Sequence, residues 1–391
     1  MPRIYFDNAA TTRLDPAVLE VMLPLMQDNY GNPSSIHGHG RVVRSAIEKA
    51  RKTVASLLNA APAEVFFTSG GTEADNTAIC GSIETYGLTH AITSPLEHHA
   101  VLHTLQHLAK AGRITLSLVD VDGQGQLDYD HLGTLLRANP NALVSLMEGN
   151  NEIGNLLDMN RVGELCHQHN AVWHSDTVQT LGHYAHDVQT LKTDFLVGAA
   201  HKFHGPKGVG FLYARPSGRG TIHPFVHGGA QERNRRGGTE NVYGIVGLAK
   251  ALEIAYADMA AHRTHIEGLK NRMLAQLQAR FAGHEAGPIR FNGLSASPTE
   301  SLYTVLSVSL PATDMTDMLL FNLDIAGISV SGGSACSSGS EVGSHVLAAL
   351  PGLDPGRGNV RFSFGKYNTA DEVDLAVAKV VELYDSKAVA A

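Results

Sequence analysis

The chain has 391 residues, with 30 Lys and Arg against 38 Asp and Glu for a formal net charge of −8; 43% of residues are hydrophobic and 17% charged. That length suits two or three domains of about 100–200 residues each, and the composition excludes both a disordered chain and a small disulfide scaffold. The acidic balance argues against nucleic acid and anionic membranes as partners, since both demand a basic face, and leaves a small-molecule enzyme as the expected class.

The opening Met1-Pro2-Arg3-Ile4-Tyr5-Phe6-Asp7-Asn8 has neither the basic nor the apolar region of a signal peptide, and no apolar window of about 18 residues follows. A cytoplasmic protein is expected. From about residue 60 to 215 strand-like runs alternate with helical stretches. Glu64–Thr68 reads as a strand, and after Ser69-Gly70-Gly71 a helix is expected near Thr72. His90–Thr93 precedes an amphipathic run from Glu97 to Lys110, stopped by Gly112. Further strands are expected at 114–121, 142–147, 171–175, 194–197 and 209–213, which predicts an α/β fold with a mostly parallel sheet covered by helices on both faces. Beyond about residue 245 come a long helical stretch, 247–282, then apolar runs at 304–310 and 359–364. Thr369-Ala370-Asp371-Glu372 is a capping box that opens a helix to about Tyr384. This second texture predicts a smaller α+β domain. The division expected is an N-terminal segment over 1–15 lying on the small domain, a large domain over 16–250, and a small C-terminal domain over 251–391.

In such sheets ligands collect beyond the carboxyl ends of the strands, so the loops after each run are the places to look for chemistry. Lys202 lies in Gly198-Ala199-Ala200-His201-Lys202-Phe203-His204-Gly205, just after a strand, where an amine shielded from water can lose its proton and condense with an aldehyde. Asp176 ends another apolar run, and a carboxylate there needs a cationic partner such as a protonated pyridine nitrogen; Gln179 follows three residues on. Gly71 and Thr72 open a helix after a glycine turn, an arrangement that suits a phosphate. His98 stands at a strand-to-helix junction from which its ring could stack on a planar group. Cys336 sits in Ser331-Gly332-Gly333-Ser334-Ala335-Cys336-Ser337-Ser338-Gly339-Ser340, small residues that leave a thiol free to travel. Three cysteines at wide spacing (Cys80, Cys166, Cys336) form no disulfide framework, and Cys166-His167-Gln168-His169 lacks the second ligand pair of a zinc site, so no metal is expected. Each of these features alone is commonplace: a surface lysine, a turn aspartate, a linker cysteine.

Their order along the chain is not commonplace. Together with Asp7-Asn8-Ala9-Ala10-Thr11-Thr12, Gly31-Asn32-Pro33-Ser34-Ser35, Asn150-Asn151-Glu152-Ile153-Gly154, Arg236-Gly237-Gly238-Thr239-Glu240-Asn241 and Arg361-Phe362-Ser363, these segments resemble the cysteine desulfurases. Those are pyridoxal-phosphate enzymes of the class V aminotransferase group and fold type I. The resemblance implies pyridoxal 5′-phosphate carried on Lys202, with Asp176 at the pyridine nitrogen, His98 stacked on the ring, and Asn151 and Gln179 near the phenolic oxygen. It further implies that Gly71, Thr72 and His201 hold the phosphate, and that Thr239 reaches the phosphate of a neighbouring subunit in a homodimer. Arg361, assisted by Asn151, would clamp the carboxylate of L-cysteine. Cys336 would take the sulfur as a persulfide for a sulfur-acceptor protein such as an iron–sulfur scaffold, the surrounding Ser/Gly stretch resembling the subgroup that serves general iron–sulfur assembly.

Two departures from the family pattern stand out. Ala199 replaces a serine that donates to the cofactor phosphate, a missing charge-assisted hydrogen bond of about 1.5–3 kcal/mol. Glu148-Gly149 stands where the family often has His and a small residue, so a carboxylate either perturbs the site or faces solvent. A selenocysteine lyase, a class V aminotransferase and a non-catalytic scaffold paralogue remain open as rivals.

Overall fold

The structure, a computed structural model, describes residues 3–216, 221–314, 316–332, 343–354 and 356–385. Its strands are β1 (Ile4–Tyr5), β2 (Val65–Thr68), β3 (His90–Thr93), β4 (Thr115–Leu118), β5 (Leu143–Ser145), β6 (Val172–Asp176), β7 (Phe195–Ala199), β8 (Gly210–Ala214), β9 (Arg290–Phe291), β10 (Val305–Leu310), β11 (Ile328–Ser329) and β12 (Gly358–Ser363). Seven of them form one sheet in the order β2-β8-β7-β6-β5-β3-β4. Only β8 runs against its neighbours, so β2, β3, β4, β5, β6 and β7 all end on the same edge. The central strands β5, β6 and β7 are buried at every position, as strands covered by helices on both faces must be.

Helices α1 (Pro16–Gln27), α2 (Gly38–Leu57), α3 (Gly71–Tyr86) and α4 (His99–Lys110) lie on this sheet. Val18, Val54 and Leu248 join one core cluster with Trp173 and Phe211, while Ile79, Ile83, Val101 and Leu105 join another with Phe195 and Leu212. Alternate side chains of the same strands thus feed two cores, which is the physical meaning of helices on both faces.

A second sheet, β9-β10-β12, is antiparallel, and its core takes Leu306, Val308, Val360 and Phe362 together with Leu269, Met273, Val377 and Val380 from the helices Met259–Phe281 and Ala370–Asp385. The capping box is present: Glu372 N–H donates to Thr369 Oγ1 at 3.3 Å, and Thr369 N–H to Glu372 Oε2 at 3.0 Å. β1 pairs in parallel with β11, and Phe6 enters the same core. The single helical stretch expected over 247–282 is two helices, Val242–Ala257 and Met259–Phe281, broken at Asp258, whose ψ of 11° leaves the helical path. Among the described residues no helix is long and apolar enough to cross a membrane.

Candidate active site

The segments that follow β2, β3, β5, β6 and β7 at the shared strand edge surround one cavity of about 320 Å³, inside the range of about 300–1,000 Å³ usual for small-molecule sites. Asp176 reaches it as the last residue of β6; it is 6% exposed, and its Oδ1 accepts from Val178 N–H at 2.9 Å. Burial pushes this carboxyl upward, opposed by the charges of His98 and Lys202. Lys202 follows β7 by one short turn, Ala200–Lys202, and its Nζ donates to the carbonyls of Ala9 and Ala10, the latter at 2.9 Å. Gln179 Nε2 also donates to the Ala9 carbonyl, at 3.0 Å, and His201 Nδ1 lies 3.2 Å from Thr11 Oγ1. The N-terminal segment therefore lies over the lysine. The Ala9 and Ala10 carbonyls accept from its amine.

His98 caps α4, its Nδ1 accepting from Ala100 N–H at 3.2 Å, and this cap turns the ring into the cavity. Burial lowers its pKa, which favours the neutral imidazole. Gly71 and Thr72 line the cavity from the first turn of α3, where unpaired backbone N–H groups and the helix dipole suit an anion. A Cβ on Gly71 would come within 2.9 Å of Val178 Cγ2, so the close approach of helix to sheet requires glycine here. Asn151 and Arg361 complete the wall. Arg361 is 1% exposed; its Nη2 meets Asp7 Oδ1 at 2.8 Å and its Nη1 donates to the Asn151 carbonyl at 2.7 Å.

The structure thus brings Gly71, Thr72, His98, Asn151, Asp176, Gln179, His201, Lys202 and Arg361 to a single cavity. Thr239 is elsewhere, in a separate depression with Ser69, Gly208 and Arg236. Cys336 lies outside the described residues. Ala199 lines the cavity and is 2% exposed, so its methyl group stands where a hydroxyl would face the bound ligand. Glu148 resolves into a private pair: its Oε2 accepts from His186 Nε2 at 2.6 Å and from the Thr180 hydroxyl, and it does not line the cavity.

Several polar residues at this cavity carry no sequence signal of their own. Asp75, on the sheet-facing side of α3, is 1% exposed. Glu152 is bonded to the Ser344 hydroxyl. His345 Nδ1 lies 2.8 Å from His99 Nε2, and its own Nε2 lies 2.9 Å from the Glu97 carbonyl. Asp75 is three positions past Thr72 and so lies on the same helical face, a spacing that could have drawn attention to it.

This fold and cavity define a class before they define an activity: the chain matches the model of the aminotransferase class-V family over residues 4–376 and belongs to that family. It is 41% identical to a Bacillus subtilis protein named putative cysteine desulfurase IscS 1, over 98% of this chain and 99% of that one. Among solved structures, a NifS-like protein superposes with a TM-score of 0.88 at 37% identity, covering 98% of this chain and all of the other. A structure titled "SspA in complex with cysteine" superposes at 0.79 with 29% identity, covering 94% of this chain and 100% of the other.

Proposed function

We infer that this chain is a cysteine desulfurase that converts L-cysteine to L-alanine and passes the sulfur to Cys336. The observation that carries this reading is the convergence of an amine, a buried acid, an imidazole and a buried guanidinium on one cavity, in a chain so similar to proteins bearing that name. Pyridoxal 5′-phosphate is the cofactor these residues fit: Lys202 supplies the amine for its aldehyde, Asp176 the acid for its ring nitrogen, and the first turn of α3 a place for its phosphate. When bound, the group supplies an electron sink for the charge that develops on the substrate Cα.

The remaining work falls to side chains of this chain. Lys202 takes the Cα proton, and His98, neutral by burial and lining the cavity, would hold the ring and relay protons. Asn151 and Gln179 would hold the phenolic oxygen, and Thr72 and His201 would hold the phosphate. Arg361 binds the substrate carboxylate through its planar fork. The Cys336 thiolate attacks the substrate sulfur; the electron pair of the Cβ–S bond stays with carbon, which takes a proton and leaves as alanine, and the sulfur remains as a persulfide. Thr239, in its separate depression, suits a homodimer in which it reaches the partner's phosphate. The large domain over 16–250 carries the cofactor, the small domain over 251–391 carries Arg361 and Cys336, and a cytoplasmic sulfur-acceptor protein, such as an iron–sulfur scaffold, is the partner.

The test is direct. Protein reconstituted with pyridoxal 5′-phosphate, given L-cysteine and a small thiol, is expected to release alanine and sulfide in equal amounts, and Lys202→Ala to release neither. Formation of an oxo-acid with conversion of the cofactor to its amine form would instead identify an aminotransferase.

A further inference from the structure

Behind Asp176 lies a second buried acid that the reaction does not use. Asp75 (1% exposed) is on α3, and its carboxyl, a carboxyl oxygen of Asp176 and a ring nitrogen of His98 all lie within 4.8 Å of one another. On the other side, Asp75 Oδ1 is 3.3 Å from Nε2 of His174, which is fully buried in β6, and neither atom makes a hydrogen bond among the described residues, so a proton on Asp75 is what could join them. The far nitrogen of that ring, Nδ1, lies 2.8 Å from Ser145 Oγ on β5. The order in space is therefore Ser145, His174, Asp75, Asp176, crossing from β5 through β6 to α3 and back to the cavity.

Two carboxylates this close and this buried cannot both stay ionised, because neither has water to share its charge and each repels the other. The surroundings decide which keeps the proton. Asp176 has the Lys202 cation available to it and awaits a ring nitrogen that needs a negative partner. Around Asp75 stand Asp176, Glu97, His174 and the neutral ring of His98: burial, then the charges of Asp176 and Glu97, all push its carboxyl upward, and burial pushes His174 down to about 3, leaving it neutral. We propose that Asp75 is a positioning residue held as a neutral carboxylic acid, wedged between Asp176 and the His174–Ser145 pair, so that Asp176 alone carries the negative charge at the base of the cavity. The role rests on the cofactor reading given above, since a lone negative charge is what a protonated ring nitrogen requires. An Asp75 carboxylate would double that charge; an apolar residue would take away the polar group that stands 3.3 Å from His174 Nε2.

The proton on Asp75 is visible without cofactor or turnover. In apoprotein labelled with carbon-13 at aspartate carboxyls, infrared spectra separate aspartate from Glu97, and a protonated-aspartate carbonyl band is expected at neutral pH. It should disappear in Asp75→Asn and persist in Asp176→Asn. Asp75→Asn, a neutral isostere, should also bind pyridoxal 5′-phosphate within about threefold of wild type. Absence of the band in wild type, or its survival in Asp75→Asn, overturns the proposal. If Asp75→Asn does not fold, Asp176→Asn decides alone: loss of the band there counts against Asp75. Since the apoprotein is measured, failure of the desulfurase assay leaves this result standing, and the reverse also holds.

Discussion

Arg361 and Asp7 meet across 354 positions of sequence: Nη2 and Oδ1 are 2.8 Å apart, with the guanidinium 1% exposed at the cavity wall. A buried guanidinium is costly without an anion, and Asp7 supplies one; in the proposed function the planar fork also binds the substrate carboxylate. Lysine at this position keeps the charge and loses the fork. Arg361→Lys is expected to raise KM for cysteine by about 10- to 100-fold, from a charge-assisted bond of about 1.5–3 kcal/mol, with the visible absorbance of the bound cofactor unchanged. Steady-state kinetics alongside the absorption spectrum check both parts. An unchanged KM would remove Arg361 from the substrate site.

Ala199 offers a gain rather than a loss. Its side chain lines the cavity beside the first turn of α3, and serine there adds one donor without adding bulk that the cavity cannot hold. Ala199→Ser is expected to tighten pyridoxal 5′-phosphate by about tenfold, equivalent to about 1.4 kcal/mol, as read by titrating apoprotein with cofactor. Equal affinity in the two proteins would mean that the methyl group costs nothing.

Much of this was legible in the sequence, for physical reasons. β5, β6 and β7 announce themselves because strands buried on both faces are built around apolar stretches, Leu143-Val144, Val172-Trp173 and Phe195-Leu196-Val197. The residues at their ends stand out because a buried acid or an amine at the end of such a run is costly without a ligand to answer it. The capping box at Thr369 needs only local spacing. What the sequence hid is whatever depends on packing between distant segments. The break at Asp258 interrupts a run whose helical character is the same on both sides. The roles of Asp75, His174 and Ser145 appear only when three elements converge, and the partner of Glu148, 38 positions away at His186, cannot be read from Glu148 itself.

That Glu148–His186 pair makes a stability prediction. Burial lowers the pKa of His186, but the neighbouring Glu148 carboxylate and the hydrogen bond to it outweigh burial, and the net shift is upward. A base whose folded pKa exceeds its unfolded value of about 6.5 contributes stability that is full below that pH and fades as pH rises through the folded value. Glu148→Gln should therefore cost about 1–3 kcal/mol near pH 6, and the gap from wild type should narrow as the solution becomes alkaline. Urea unfolding across pH tests this. A gap that widens with pH would mean that His186 is neutral in the folded protein.

The central claim, that sulfur leaves cysteine for a thiol of this chain, is tested most directly by a single turnover without added thiol, followed by mass spectrometry of the peptide bearing Cys336. The account predicts one extra sulfur atom on Cys336 in wild type, matched by an equal amount of alanine. In Cys336→Ala, the cofactor's visible absorbance should stay intact while no persulfide forms. Full turnover by Cys336→Ala with a physiological sulfur acceptor, or alanine formed by wild type with no sulfur on Cys336, would contradict it.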